Sequence, residues 1–272
     1  MTELTLPGPF WLIGCGNMAG AMLRGWLAEG MDPAQVTVVR PSGVPVADGV
    51  RVVTHLPLDG RPVITMLGVK PQKLDDVAPD LAPVLEGSEL LISVLAGVEH
   101  ASLRSRFPVP RTIVRAMPNT PTALRKGATS LYAEGGEGED RALAEQLMAA
   151  LGHVEWIDDE SLFDVVAALT ASGPAFVFRF IDSLAAGAAA LGLPRDQAQR
   201  LAIATVEGAA ALAAGSGESP HELAERVASP GGMTRKGLDV LDEDQTLNRL
   251  VRSTLDAAAR RSREMGVEAR RK

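Results

Sequence analysis

The stretch Phe10-Trp11-Leu12-Ile13-Gly14-Cys15-Gly16-Asn17-Met18-Ala19 decides the fold. An unbroken apolar run ends in two glycines one residue apart, and a helical pattern begins at Asn17. A strand buried on both faces shows no polar alternation, which explains the run. The first glycine permits a tight turn, the second lets a pyrophosphate approach the backbone, and a small third residue lets helix and strand pack closely. Those positions are Gly14, Gly16 and Ala19, so the segment from Ile13 to Ala19, including Cys15, Asn17 and Met18, is expected to hold a dinucleotide.

Outward from this start, short apolar runs recur at Trp11–Ile13, Val36–Val39, Val63–Val69, Leu90–Leu95, Thr112–Met117 and Thr129–Tyr132. Helical patterns at Asn17–Glu29, Leu74–Leu85 and Val98–Arg106 fall between them, giving a doubly wound α/β sheet. Between the second and third runs, Pro41, Gly43, Pro45 and Gly49 leave no room for a crossover helix, and a loop is expected. An acidic, glycine-rich break at Glu134–Glu139 precedes a helix at Asp140–Leu151 and a short strand at Val154–Ile157. After Asp158 the chain turns alanine-rich and helical: Glu160–Leu191, Arg195–Ala214, Pro220–Val227 and two more helices past Thr234. The expected domains are 1–158, dinucleotide-binding, and 159–272, all-helical.

With 272 residues the chain has room for two domains and a core that needs no staples. A net charge of −7 argues against a nucleic-acid partner; only the tail from Arg260 to Lys272 is locally basic, as suits a helix end. Cys15 stands alone, so no internal disulfide forms and a reducing compartment is favoured. The four histidines lie far apart, and no metal site is expected. Glu3 and the lack of a basic start speak against a signal peptide. No window was expected to reach the ~18 apolar residues of a membrane span, so the expected location is cytoplasmic.

The second strand ends at Val39-Arg40-Pro41-Ser42, where an NAD site usually offers an acid to the ribose. Arg40 and Ser42 suit a 2′-phosphate better, which favours NADPH with NADH second; the bland alternative is that Arg40 is a solvated strand end. Gly68-Val69-Lys70-Pro71, Leu95-Ala96-Gly97 and Met117-Pro118-Asn119 also leave strands on the ligand side of such a sheet. At the far end, Ser229-Pro230-Gly231-Gly232-Met233-Thr234 is a loop opening a helix, with free N–H groups suited to a small carboxylate.

These segments, with Ser172-Gly173-Pro174-Ala175-Phe176 and Gly192-Leu193-Pro194-Arg195, resemble the Δ1-pyrroline-5-carboxylate reductases over nearly the whole chain. The resemblance implies a Rossmann-type domain followed by an all-α dimerisation domain, and NAD(P)H-dependent reduction of Δ1-pyrroline-5-carboxylate to L-proline. It implies substrate contacts from Ser229, Gly231, Gly232, Met233 and Thr234, with Thr234 facing the ring nitrogen, and from Glu160 near the product. Val69, Lys70, Pro71, Ala96, Gly97 and Asn119 would line the cofactor, with Pro174 and Ala175 near the nicotinamide. Self-association as a homodimer or ring of dimers is also implied, whereas the alanine-rich helices read alone suit a dimer interface or packing within one subunit equally. Two departures stand out: the connection after the second strand is short, and Met233 replaces a smaller residue. A reductase of another cyclic imino acid and a non-catalytic dinucleotide binder are the alternatives. A β-hydroxyacid dehydrogenase is disfavoured, because residues 159–200 hold no lysine to act as its acid.

Overall fold

A computed structural model describes residues 4–135 and 138–270. Glu3, the middle of the acidic break at 136–137 and the basic tail's last two residues lie outside the described residues. The chain forms two compact units, Met1–Ser172 with Ala258–Lys272, and Gly173–Ala257.

The first unit is built on strands β1 (Phe10–Ile13), β2 (Val36–Val39), β3 (Arg51–Val53), β4 (Ile64–Leu67), β5 (Leu90–Ser93), β6 (Thr112–Met117), β7 (Gly127–Tyr132) and β8 (Gly152–Trp156). Their order is β3-β2-β1-β4-β5-β6-β7-β8. All neighbours are parallel except β6 and β7. Only the turn Thr120–Leu124 separates those two, too little chain for a crossover, so β7 runs back. Helices α1 (Asn17–Ala28), α2 (Leu74–Leu81), α3 (His100–Arg106) and α4 (Glu139–Ala149) cover the faces. Phe10, Leu12, Val36 and Val38 meet Met22 and Trp26 of α1 on one side, while Trp11, Ile13, Leu67 and Leu91 meet Leu74, Leu81 and Phe107 on the other. Trp26 also donates its indole N–H to the Leu147 carbonyl at 2.6 Å, tying α1 to α4.

Two elements differ from the sequence expectation. The loop after β2 does form, but it leads into β3, a strand too short to register as an apolar run. The expected helix Glu160–Leu191 is interrupted: a short α5 (Phe163–Val166) passes into a π-type turn at Ala167–Ala171 before α6 (Gly173–Ala190). Residues 159–172 accordingly pack with the sheet, so the compact division falls at Ser172–Gly173 and the composition change at 158.

The second unit contains α6, α7 (Arg195–Gly215), α8 (Pro220–Val227), α9 (Met233–Asp242) and the first turns of α10 (Thr246–Arg270). α8 starts with a reciprocal cap, in which Ser219 Oγ accepts from Glu222 N at 3.2 Å and Glu222 Oε2 accepts from Ser219 N at 2.7 Å. The buried core of this unit is slight: Ala185, Ala198 and Ala202, with Ile181, Ala188, Ala189 and Leu193 against them. Contrary to the sequence expectation, Glu160–Ala190 is long and apolar enough by length and composition to cross a membrane. Arg179 and Asp182 pair within it at 3.5 Å.

Asp140 anchors the start of α4 to β6. It accepts from Arg111 Nε and Nη2 at 2.7 and 2.5 Å and from Thr112 Oγ1 at 2.6 Å. The Arg111 guanidinium, opposed by burial and helped by Thr112, holds the Asp140 carboxyl below the usual carboxylate range. A depressed folded pKa contributes stability above the unfolded value of about 3.9 and loses it as pH falls through the folded one. Asp140→Asn should therefore cost about 2 kcal/mol at neutral pH. In urea melts at several pH values, its deficit should shrink as pH falls through the depressed titration of Asp140, below the usual carboxylate range.

Candidate active site

The strand order reverses between β1 and β4, and the crevice beyond their carboxyl ends is where such sheets bind ligands. There the backbones nearly touch. Gly14 N donates to Val39 O and Gly68 N to Ile13 O, both at 2.8 Å. Gly14 adopts φ +84°, and a Cβ on it would lie 2.9 Å from Val69 N. A Cβ on Gly68 would lie 2.7 Å from Gly14 O and 2.9 Å from the Ala19 Cβ. Gly14, Gly68 and Ala19 are thus small for one shared reason: each fills the space the others leave.

Gly16 is different, because a Cβ there meets nothing within 4 Å. It caps α1 with no side chain bonded to the first-turn N–H groups. Open space before unclaimed donors at a helix start fits a dinucleotide pyrophosphate. Asn17 is exposed and Met18 half-buried beside it. Burial pushes the Cys15 thiol up, while the positive fields of Arg40 and Arg24 pull it down. Both arginines therefore act on the same turn. Arg24, exposed on α1, was missed in sequence because it lies well past the motif; its place on the helix face above Cys15 was the available signal. Ser42 Oγ accepts from Val44 N at 3.4 Å, and Gly43 N closes a turn on Arg40 O at 3.1 Å.

The other cofactor candidates of this unit sit on neighbouring strand ends. Val69 packs under Gly14, Lys70 is exposed, and Pro71 opens a short turn to α2. Ala96 is exposed and Gly97 takes φ +73° between β5 and α3. Asn119 is buried; its Nδ2 donates to Thr170 O at 3.0 Å and its Oδ1 accepts from Ala128 N at 2.9 Å. One amide N–H remains for a ligand. Glu160 is also engaged: Oε1 accepts from Arg115 Nη1 at 2.5 Å and from His100 N at 2.6 Å. Arg115, buried in β6, lies 4.4 Å over the Phe163 ring, and sequence patterning gave no sign of it.

Ser229–Thr234 belongs to the second unit, where it joins α8 to α9. Gly231 takes φ +71°, and a Cβ on Gly232 would press 3.1 Å from Ser229 O, which Gly232 N already bonds at 2.9 Å. Gly232 caps α9 without a side-chain bond, leaving first-turn donors free. Met233 is 91% exposed, so its N–H is what the loop offers. Arg235 is not spare charge: its Nη2 meets Glu225 Oε2 at 2.5 Å, pinning α9 to α8. Among the described residues, no group of three or more His, Cys, Asp or Glu side chains is placed to hold a metal ion.

Residues 160–265 match the model for pyrroline-5-carboxylate reductase dimerisation. The pyrroline-5-carboxylate reductase of Pseudomonas aeruginosa is 37% identical over 265 residues, covering 94% of this chain and 96% of its own. The chain belongs to the pyrroline-5-carboxylate reductase family. Among solved structures, a pyrroline-5-carboxylate reductase from Coxiella burnetii superposes with a TM-score of 0.87 at 34% identity, over 95% of this chain and 98% of its own. The Plasmodium falciparum pyrroline carboxylate reductase, solved with NADP bound, shares the fold at a TM-score of 0.80 and 24% identity, over 96% and 98%.

The close packing at the switch point has a direct test. Gly68→Ala should overpack the turn by about 2 kcal/mol and lower the melting temperature accordingly. Equal melting of variant and parent would show that the turn can yield.

Proposed function

We propose that this chain reduces Δ1-pyrroline-5-carboxylate to L-proline with NADPH. The observation that carries the reading is the pair of glycine-shaped donor sites, Gly14–Ala19 at the sheet's switch point and Ser229–Thr234 at the start of α9, in a member of this reductase family. NADPH, when bound, supplies the hydride and the nicotinamide surface. Gly16 and the first turn of α1 hold its pyrophosphate, and Arg40 with Arg24 and Ser42 receives the 2′-phosphate. Val69, Lys70, Pro71, Ala96, Gly97 and the remaining Asn119 N–H line the rest.

The N–H groups of Gly232 and Met233 hold the substrate carboxylate, with the Ser229 hydroxyl beside them. Gly231 gives the loop its left-handed turn. Thr234 hydrogen-bonds the ring nitrogen, which is basic enough to carry its own proton in the iminium form. The chain's contribution is alignment, which in favourable cases supplies about 7 to 11 kcal/mol of a barrier, so no strong general acid is needed. Glu160 acts first as a brace between β6 and α3, with Oε2 left for the product.

Self-association completes the proposal, as a homodimer that can assemble into a ring of dimers. The dimerisation match at residues 160–265 spans the whole of the helical unit Gly173–Ala257, which would carry that interface. α6 exposes Val177, Phe178, Phe180 and Leu184, an apolar surface its alanine core does not cover. Cys15, a free thiol, fits a reducing, cytoplasmic setting.

Purified protein should oxidise NADPH faster than NADH only when Δ1-pyrroline-5-carboxylate is present, with proline as product. Thr234→Ala should lower kcat by about 100-fold with cofactor affinity intact, on the scale of losing one oriented donor. Arg40→Glu should weaken NADPH more than NADH; equal NADPH binding would make Arg40 a solvated strand end. Phe178→Asp should shift the protein to monomer in light scattering, and an unchanged mass would place the interface elsewhere.

A further inference from the structure

The loop at Ala96–Gly97 is gripped by an element the cofactor reading leaves out. The last turns of α10 belong to the same compact unit as the sheet. Ser262 Oγ there donates to Asp164 Oδ1 at 2.6 Å, and Ala259 is 5% exposed. This seats Gly266, itself buried, against Gly97. A Cβ on Gly97 would lie 3.2 Å from both the Cα and N of Gly266, and a Cβ on Gly266 would lie 3.3 Å from Gly97 O. Two glycine backbones therefore meet with no side chain between them. Gly97 also holds φ +73°, a conformation that costs other residues strain.

The loop is fixed at its other end too, where Glu160 Oε1 accepts from His100 N at 2.6 Å. Glu160 and Asp164 stand one turn apart in sequence, so the segment that holds α3 also holds the end of α10. We propose that Gly266 is a positioning residue: it sets the path of Ala96–Gly97 and so the loop's fit to the nicotinamide cofactor. This rests on the reading of Ala96 and Gly97 as cofactor-lining. Gly266 touches no reacting atom; a side chain on it would crowd the Gly97 carbonyl, 3.3 Å from the new Cβ, and oblige the loop to shift.

The test uses the full chain with Gly266→Ala and Gly266→Val. NADPH binding is measured by fluorescence titration without substrate, alongside KM for each reactant and the melting temperature of the unliganded protein. Gly266→Val is expected to raise the NADPH Kd about tenfold, and Gly266→Ala by less, with KM for Δ1-pyrroline-5-carboxylate within about twofold of the parent. Melting should shift little. An unchanged NADPH Kd in the valine variant overturns the role, as does a loss in which melting and every constant fall together, since that is damage to packing. If the parent binds NADPH but does not turn over Δ1-pyrroline-5-carboxylate, the substrate reading fails while the binding comparison still decides the role of Gly266. A parent that binds neither NADPH nor NADH overturns both.

Discussion

The approach of two backbones at the end of β1 is the constraint on which the rest of this molecule depends. Gly14 and Gly68 leave strands β1 and β4 so close together that a Cβ on either would collide with backbone. Ala19 must be small because it closes the same contact from the helix side. These strands flank the point where the sheet order reverses, so the contact that brings them together also opens the crevice above them. Gly16, freed from packing, then faces open space at the start of α1. One tight turn thus produces both a rigid floor and a free set of donors, and a second glycine turn at Gly231–Gly232 likewise opens a helix whose first-turn donors no side chain caps.

The two units differ in what holds them. The sheet unit has cores on both faces, and several of its charges are spent on structure: Arg111 on Asp140, and Arg115, stacked over the Phe163 ring, on Glu160. Asp140 and Arg115 are the buried members, and removing the partner of either strands a charge, which makes these pairs braces more than sources of net stability. The helical unit buries mainly alanines and exposes phenylalanines, leucines and valines. Small residues let helices approach closely but remove little apolar area from water, so this unit suits a chain whose helices complete their core in a second copy.

Much of this was legible in the sequence for a physical reason. Strands buried on both faces are written as apolar runs, and turns that forbid a Cβ are written as glycine, so β1, β2, β4, β5, β6 and both glycine loops stand out. β3 did not, because Arg51-Val52-Val53 is brief and half-exposed. The π-type turn at 167–171 was hidden, since its residues are ordinary helix formers; what marks it is the Thr170 carbonyl taken by Asn119, a contact between positions far apart in sequence. For the same reason the engagement of Glu160 with Arg115 and His100 could not be read from spacing. Arg24 was passed over because its value comes from the fold bringing α1 beside the end of β2. Polar partners chosen by tertiary structure leave no local pattern, whereas backbone conformations that only glycine tolerates do.

The central claim is a direct hydride transfer from NADPH to Δ1-pyrroline-5-carboxylate. The measurement that tests it most directly follows the label from NADPH deuterated on the transferring face of C4 through turnover with Δ1-pyrroline-5-carboxylate, with the proline examined by NMR. The account predicts one deuterium at C5 of L-proline and none elsewhere. Unlabelled proline, or NADPH consumed with no proline formed, would contradict it.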